Sequence, residues 1–393
     1  MRQRPGLIAD YRADMAIFRS NVQRAWFIGV ALLVPLLGMG GSIPILPGAF
    51  SLSLQGDLLI LGIAAVFASI GAIGLNIVTG FAGQISLGHA FFLGVGAFTA
   101  AAFGGAPRLI GSGDLIALEL DMAIWLPLAG LVAALFGFIV APVAFRLKGL
   151  YLAFVTIGLL FFGGLIFKEW TSLTGGLGLG RDAAVPRLFG FRIDEDGELF
   201  GVFLSGDQKL FLFGFVVLLI MGFAAKNLAR SKIGRALSAV RDRDIAAEMM
   251  GIPLARYKMI AFVVSSFYAG IAGALLFTVV GRLEPGVFSD APGFLLSVRY
   301  IAMILIGGIA TISGSIMGAV FITFLPRVVR WLAGFALFGF ISEAPTGGFL
   351  SVTQFEQILF GVVLVGFLIF EPLGLYGIWI RVRNYWKAWP FSY

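Results

Sequence analysis

The chain contains no cysteine and only one histidine, His89. The first absence excludes disulfides, thiolate metal sites and a cysteine nucleophile, and the second excludes a histidine-rich metal centre. Charge is scarce too. Asp, Glu, Lys and Arg make up 12% of the 393 residues, against roughly a quarter in an ordinary soluble domain. No Gly-x4-Gly-Lys-Ser/Thr phosphate loop occurs, so any ATP hydrolysis tied to this chain falls to separate subunits. No cleavable leader is expected either. The first 24 residues are polar, with Arg2, Arg4, Arg12, Arg19 and Arg24 ahead of any apolar run, and the first membrane helix would act as the insertion signal.

What is abundant is apolar. Hydrophobic residues reach 59%, with 54 glycines and 40 phenylalanines. A water-soluble fold of this size has too little interior to hide that surface, so lipid must serve as the solvent. The fold class is therefore all-α, a polytopic integral membrane protein. The net charge of +7 needs no nucleic acid, because Lys and Arg collect in cytoplasmic loops of such proteins.

A spanning helix takes about 20 largely apolar residues. Such runs lie at Trp26–Pro47, Asp57–Val78, Ile85–Gly104, Met122–Phe145, Leu150–Phe167, Leu210–Ala225, Met259–Gly281 and Phe355–Phe370. Phe294–Leu325 is apolar but broken by Gly307, Gly308, Gly314 and Gly318, and reads as two abbreviated or re-entrant elements. About ten membrane elements result. The segment 226–258 is rich in Lys and Arg, as are the turn at Arg146 and Lys148 and the tail 381–393, which places them inside. Segment 168–209 is acidic and fits the outside. Alternate crossing from a cytoplasmic tail, 1–24, through a permease domain, 25–380, satisfies each of these and leaves both termini cytoplasmic. Only Arg327 and Arg330 fall on the unfavoured side.

Gly80-x4-Ile85-Ser86 recurs as Gly307-x4-Ile312-Ser313. Duplicated, interrupted helices often meet near the midplane of transporters, so the two elements are expected to face each other. Gln84, Ser86 and His89 lie on the first, where non-helical backbone at membrane depth requires protein or a water-filled cavity to satisfy it. They are candidates for lining a solute pathway, and the competing reading is a buried histidine that only holds helices together. Trp26, Trp125, Trp379, Trp386 and Trp389 sit near span ends and read as an interfacial belt.

Segment Ile233–Tyr257 is the most informative polar stretch. Ile233, Leu237 and Val240 form an apolar stripe, Arg241 to Asp244 a charged cluster, and Gly251 with Pro253 ends the helix after Met250. One amphipathic helix and a tight turn are expected. Acids interleaved with bases suit a protein partner better than lipid headgroups.

Ala246-Ala247-Glu248-Met249-Met250-Gly251 resembles the coupling loop of bacterial ABC importer permeases. Gly80–Phe98, Gly149–Thr156, Trp170–Gly176, Arg235–Leu275 and Gly307–Ala319 resemble, in order, permeases of the branched-chain amino acid uptake family of the LivM type. The resemblance implies a permease subunit in a bacterial inner membrane. Its implied partners are a second related permease, two cytoplasmic ATPase subunits that use ATP and Mg, and an extracytoplasmic solute-binding protein. No cofactor is expected in this chain. The implied solutes are branched-chain or related small amino acids, amides or carboxylates, and Arg241, Asp244, Ala246, Ala247, Glu248 and Gly251 would contact the ATPase. Where such permeases carry an acid in a Ser-Ile-Glu-Ile-like stretch, this chain has Ser297-Val298-Arg299-Tyr300. Arg299 is either a headgroup-seeking anchor or a pathway cation for an anionic solute group. Two rivals remain at this stage. An ion-coupled secondary transporter would need ionisable groups within the membrane, and away from span ends the sequence offers little beyond His89 and Arg299, and no buried acid. A membrane-embedded hydrolase would need a partner acid for Ser86 and His89.

Overall fold

The computed structural model describes residues 21–40, 43–46, 50–52, 56–106, 109–110, 113–147, 149–199, 201–333, 341–342 and 350–388. Most of the expected tail 1–24, the last five residues of the tail 381–393 and the end of the run Trp26–Pro47 lie outside them. So do the side chains of Trp386 and Trp389 and that of Lys148.

Fourteen helices are described: α1 (Asn21–Gly38), α2 (Asp57–Asn76), α3 (His89–Gly104), α4 (Met122–Arg146), α5 (Leu150–Glu169), α6 (Thr171–Thr174), α7 (Gly206–Arg230), α8 (Lys232–Asp242), α9 (Asp244–Met249), α10 (Leu254–Val280), α11 (Asp290–Gly307), α12 (Ile312–Ala333), α13 (Val352–Phe370) and α14 (Gly374–Ala388). A π-helical turn, Ile77–Phe81, extends α2. Seven of the described helices are long and apolar enough to cross a membrane, or eight if the pair Gln354–Phe370 and Gly374–Tyr385, bent by 49°, is one broken span. The sequence count of ten is slightly higher because it includes the shorter apolar helices Arg24–Gly38 and His89–Gly104.

Polar residues at the boundaries explain the breaks. Asp121 caps α4 by accepting from the Ala123 amide at 2.9 Å, and Ser205 and Gln208 form a reciprocal capping box at the start of α7. Gly281 closes α10 in the left-handed region, φ 78°. In the same way Gly251, φ 80°, turns the chain between α9 and α10.

α2 and α10 form the interior. α10 packs on α2, α3 and α4, and α2 also meets α7, α11 and α12. These contacts use small residues in place of large ones. A Cβ at Gly96 of α3 would sit 2.1 Å from the Gly270 carbonyl of α10, a backbone approach typical of helices that cannot rely on water to drive them together. α5 and α13 turn apolar side chains outward, among them Tyr151, Phe154 and Phe162 on α5 and Val362, Ile369 and Phe370 on α13, as lipid or subunit contact requires.

Phe294–Leu325 differs from its expected form. The break falls at Gly307–Thr311, and the flanking α11 and α12 have 18 and 22 residues, long enough to cross. A Cβ at Gly307 would meet the Gly314 carbonyl at 2.0 Å, and one at Gly318 the Met303 carbonyl at 1.8 Å. The glycines are thus the seam of an antiparallel hairpin. Trp125 also differs, being fully buried against Gly104, whereas Trp26 and Trp379 are exposed and meet edge to face at 6.2 Å.

The contacts sort the loops into two ends. Gly80 to Gln84, Leu147, Gly149, α8, α9 and Lys258 meet at one end. Arg181 bonds the Ala101, Ile116 and Leu173 carbonyls at the other, where the strand Arg181–Asp182 pairs with Arg282–Leu283. Arg327 lies 3.8 Å from Asp57 at the start of α2, on the end that alternate crossing assigns it despite its charge.

Candidate functional site: a helix that starts at mid-depth

The break between α2 and α3 is held by hydrogen bonds to α2 itself, to α5 and to α11. His89, the first residue of α3, is 2% exposed and its imidazole bonds to the Gly71 backbone carbonyl. Gly71 lies ten residues before Phe81, about 15 Å along the axis at 1.5 Å per residue. The Ala90 amide donates to Ser297 Oγ of α11 at 3.0 Å, and Ser297 likewise lies ten residues before Gly307. The Leu87 amide donates to Thr156 Oγ1 of α5 at 2.9 Å. Residues 82–88 therefore climb back from the end of α2, and α3 begins near half the depth of a roughly 30 Å hydrocarbon layer. The expected span Ile85–Gly104 becomes a half-helix. Its first turn cannot supply its own amide partners, so the Ser297 hydroxyl of α11 accepts from Ala90, while Thr156 of α5 holds Leu87 just ahead of the helix.

The climbing segment has two edges. Gly83 and Ile85 are exposed, while Gln84 and Ser86 are 5% and 3% exposed. Next to the inner edge, the imidazole of His89 packs on the ring of Tyr300 with centroids 4.9 Å apart. Gln84 Oε1 and Nε2, His89 Nε2, Tyr300 Oη and Thr79 Oγ1 are buried without a hydrogen-bond partner. Such atoms are rare in native interiors, and five of the nine among the described residues lie on the break, on the turn before it or on the helix that packs against it.

The two glycine-broken elements do meet, at the end of α2 and not near mid-depth. Asn76, at the end of α2, donates to the Thr311 carbonyl at 2.9 Å and to Ser315 Oγ at 2.7 Å, and its Oδ1 accepts from the Ala310 amide at 2.9 Å. Gly80 lies against the same turn; a Cβ there would approach the Ala310 nitrogen to 2.6 Å. A single amide in an apolar run was the signal for Asn76, and sequence reasoning passed over it.

The polar segment after α7 is two helices, not the one expected. Ser231 caps α8, accepting from the Ile233 and Gly234 amides, and Arg243 adopts an extended conformation that separates α8 from α9. Leu237 and Val240 are buried as their spacing predicts. Arg241 Nη1 donates to the Gly80 carbonyl at 3.1 Å, which ties α8 to the break. Asp244 begins α9 and accepts from the Ile245 amide. Ala247 is buried, Glu248 is exposed, and Ile245, Met249 and Met250 are among the most exposed apolar side chains. A half-open cavity of about 230 Å³, lined by Gly83, Gln84, Arg241, Asp242, Asp244 and Lys258 among others, lies between the break and this segment.

Arg299 is not joined to the His89 group. It is about half exposed and pairs with Glu356 of α13 at 3.0 Å, while its neighbour Tyr300 is fully buried against His89. The acid that balances Arg299 was legible in the sequence only as a residue near a span end. At the opposite end, the burial of Arg181 pushes its guanidinium down to about 10, with Asp182 opposing the shift. It stays charged at neutral pH and ties the loops of that end together through three carbonyls. Among the described residues no cluster of metal-ligating side chains occurs.

The sequence model of the family described as "Branched-chain amino acid transport system / permease component" matches residues 58–368. The high-affinity branched-chain amino acid transport system permease protein LivM of Salmonella typhimurium is 28% identical over 317 residues, covering 77% of this chain and 66% of that protein. LivM of Escherichia coli is 27% identical over the same shares. The LivH permease of Salmonella typhimurium is 25% identical, covering 78% of this chain and 90% of that one. The match therefore spans just under two thirds of the LivM relatives' length. No solved structure matches.

Proposed function

The chain belongs to the branched-chain amino acid transport system permease family, and on that premise we propose that it is the membrane permease subunit of an ATP-driven importer for branched-chain or related small amino acids. It is a transport component and not itself an enzyme. A second related permease completes the membrane part, two cytoplasmic ATPase subunits use ATP and Mg, and an extracytoplasmic protein delivers the solute. Relatives named both LivM and LivH support a paired permease. The cytoplasmic end is the one that carries α8 and α9, which the basic charge of 226–258 supports.

One observation carries the reading: the Arg241–Gly80 hydrogen bond. α9 offers Ile245, Met249 and Met250 to a partner, and α8 holds the end of α2 through that bond. Asn76 then holds the α11–α12 turn. Displacing α8–α9 by closure of the ATPases would thus move both glycine-broken elements together. Gln84, Ser86 and His89 lie where that motion opens a path. Arg299, paired with Glu356, serves the packing of α13 and not the path.

The test is reconstitution with the ATPases, sister permease and binding protein, measuring leucine uptake and ATP hydrolysis together. Glu248→Lys and Met249→Asp are expected to leave insertion intact and to reduce uptake at least tenfold. Cross-linking from Ala246→Cys or Met249→Cys should reach the ATPase. Free reaction of Met249→Cys with a water-soluble thiol reagent in the assembled complex would reject this docking.

A further inference from the structure

The polar atoms around the start of α3 have a directionality that their burial makes specific. The imidazole of His89 donates one N–H to the Gly71 carbonyl, and Nε2 is the nitrogen without a partner. Nδ1 is therefore the donor. In the neutral ring the other nitrogen can only accept, so Nε2 presents a lone pair. The Tyr300 hydroxyl, also without a partner, can donate. The two rings are in contact, 4.9 Å between centroids and both almost fully buried. Two rings in contact at the start of the 16-residue α3 thus carry, at separate points, a free acceptor and a free donor.

The packing holds this pair in place without using it. A Cβ at Gly71 would come within 2.6 Å of the Tyr300 ring, so only glycine lets that ring lie on α2. Ser297, three residues before Tyr300, accepts from the Ala90 amide and fixes α11 against α3. Neither contact needs the hydroxyl or Nε2. Leaving a buried hydroxyl unpaired is unfavourable, and phenylalanine at the same place would fill the same space without that penalty.

We propose that His89 and Tyr300 are the solute-docking pair of this permease, with His89 Nε2 accepting from the ammonium of a zwitterionic α-amino acid and the Tyr300 hydroxyl donating to its carboxylate. The inference rests on the amino acid transport reading above and adds the atoms that would hold the solute. The acceptor and the donor match the ammonium and the carboxylate of a zwitterion in hydrogen-bonding sense. Gly83 and Ile85 form the exposed edge of the helix-free segment, and Gln84, one residue away, has both amide atoms unpartnered behind it. Arg241, bonded to the Gly80 carbonyl, connects that segment to α8.

The experiment uses the reconstituted complex with its binding protein and L-leucine as the probe, and reads leucine uptake per assembled complex together with thermal stability. Tyr300→Phe keeps the ring and removes the hydroxyl. It is expected to leave the melting temperature unchanged or raised while lowering maximal uptake at least tenfold. His89→Gln is the second variant and should lower uptake comparably in complexes that still assemble. Normal uptake by Tyr300→Phe would overturn the proposal. So would a loss of uptake that only parallels a lowered melting temperature in both variants, since the pair would then be structural. If the wild-type complex hydrolyses ATP yet imports no leucine, isoleucine or valine, the transport reading itself fails and this inference falls with it.

Discussion

The guanidinium of Arg241 donates to the backbone carbonyl of Gly80 at 3.1 Å, joining a polar helix outside the apolar bundle to the last turn of a buried one. Gly80 belongs to a π-helical turn, a form that leaves carbonyls available for partners outside the helix and is frequent at functional sites. A hydrogen bond to a charged donor contributes about 1.5–3 kcal/mol, enough to keep α8 and the break moving as one unit. Arg241→Ala is therefore expected to lower leucine uptake by about tenfold or more while ATP hydrolysis continues. Measuring the ratio of solute moved to ATP consumed checks this, and an unchanged ratio would show that the contact is dispensable for coupling.

Asn76 makes three hydrogen bonds to the α11–α12 turn and to Ser315. Asn76→Leu would leave the partly buried Ala310 amide without its side-chain acceptor, a cost of up to about 1–3 kcal/mol, besides the lost bonds. The variant is expected to melt several degrees lower in detergent. Asn76→Asp keeps the acceptor for Ala310 but loses both donor bonds, and should be destabilised as well. Melting curves of the two variants equal to wild type would remove Asn76 from the relay.

The ion pair between Arg299 and Glu356 makes its own demand. Each residue neutralises the other on a face that is half exposed, so removing one leaves an uncompensated charge. Arg299→Gln and Glu356→Gln should each destabilise the protein, and the double variant should be closer to wild type than the sum of the two. A coupling of about 0.5–2 kcal/mol is expected from such pairs in membrane proteins. Additive effects in the double-mutant cycle would count against the pair.

Because the chain has no cysteine, single introduced thiols report sidedness without background. Phe191→Cys, in an exposed strand near the acidic residues Asp194 and Glu195, is expected to react with an impermeant reagent from outside intact cells. Arg243→Cys should react only after the membrane is opened. Reversed labelling would invert the orientation.

The membrane class, most span positions and the exposed polar segment were legible because each rests on local composition: a run of apolar residues has one solvent available to it, and basic clusters mark loops. The stripe of Leu237 and Val240 was legible for the same reason. The split at Arg243 was not, since nothing in the helix propensity of Ile233–Met250 requires a break there; α8 ends where Arg241 reaches Gly80. The start of α3 was placed four residues early because Ile85 to Gly88 are apolar or small enough to continue a helix. The structure leaves them non-helical, with the Leu87 amide turned to Thr156, 69 positions away. Arg299 was singled out for its cost in a membrane, yet the residue that reaches the buried histidine is its neighbour. Adjacent positions on a helix point about 100° apart, and only the packing of α11 decides which one faces α3.

The amino-acid sequence by itself determined that lipid is the solvent of this protein, that ten or so apolar elements fill it, and that one polar segment stands apart from them. Each follows from the chemistry of neighbouring residues. Only the tertiary structure decided that α3 begins at mid-depth, that Asn76 and Gly80 bring the two glycine-broken elements together, and that His89 and Tyr300 share a buried contact. Those depend on hydrogen bonds between residues more than 200 positions apart, such as Asn76 with Thr311 and Ala90 with Ser297. No local pattern encodes such pairs, because a buried polar atom is stable only where another part of the chain happens to meet it.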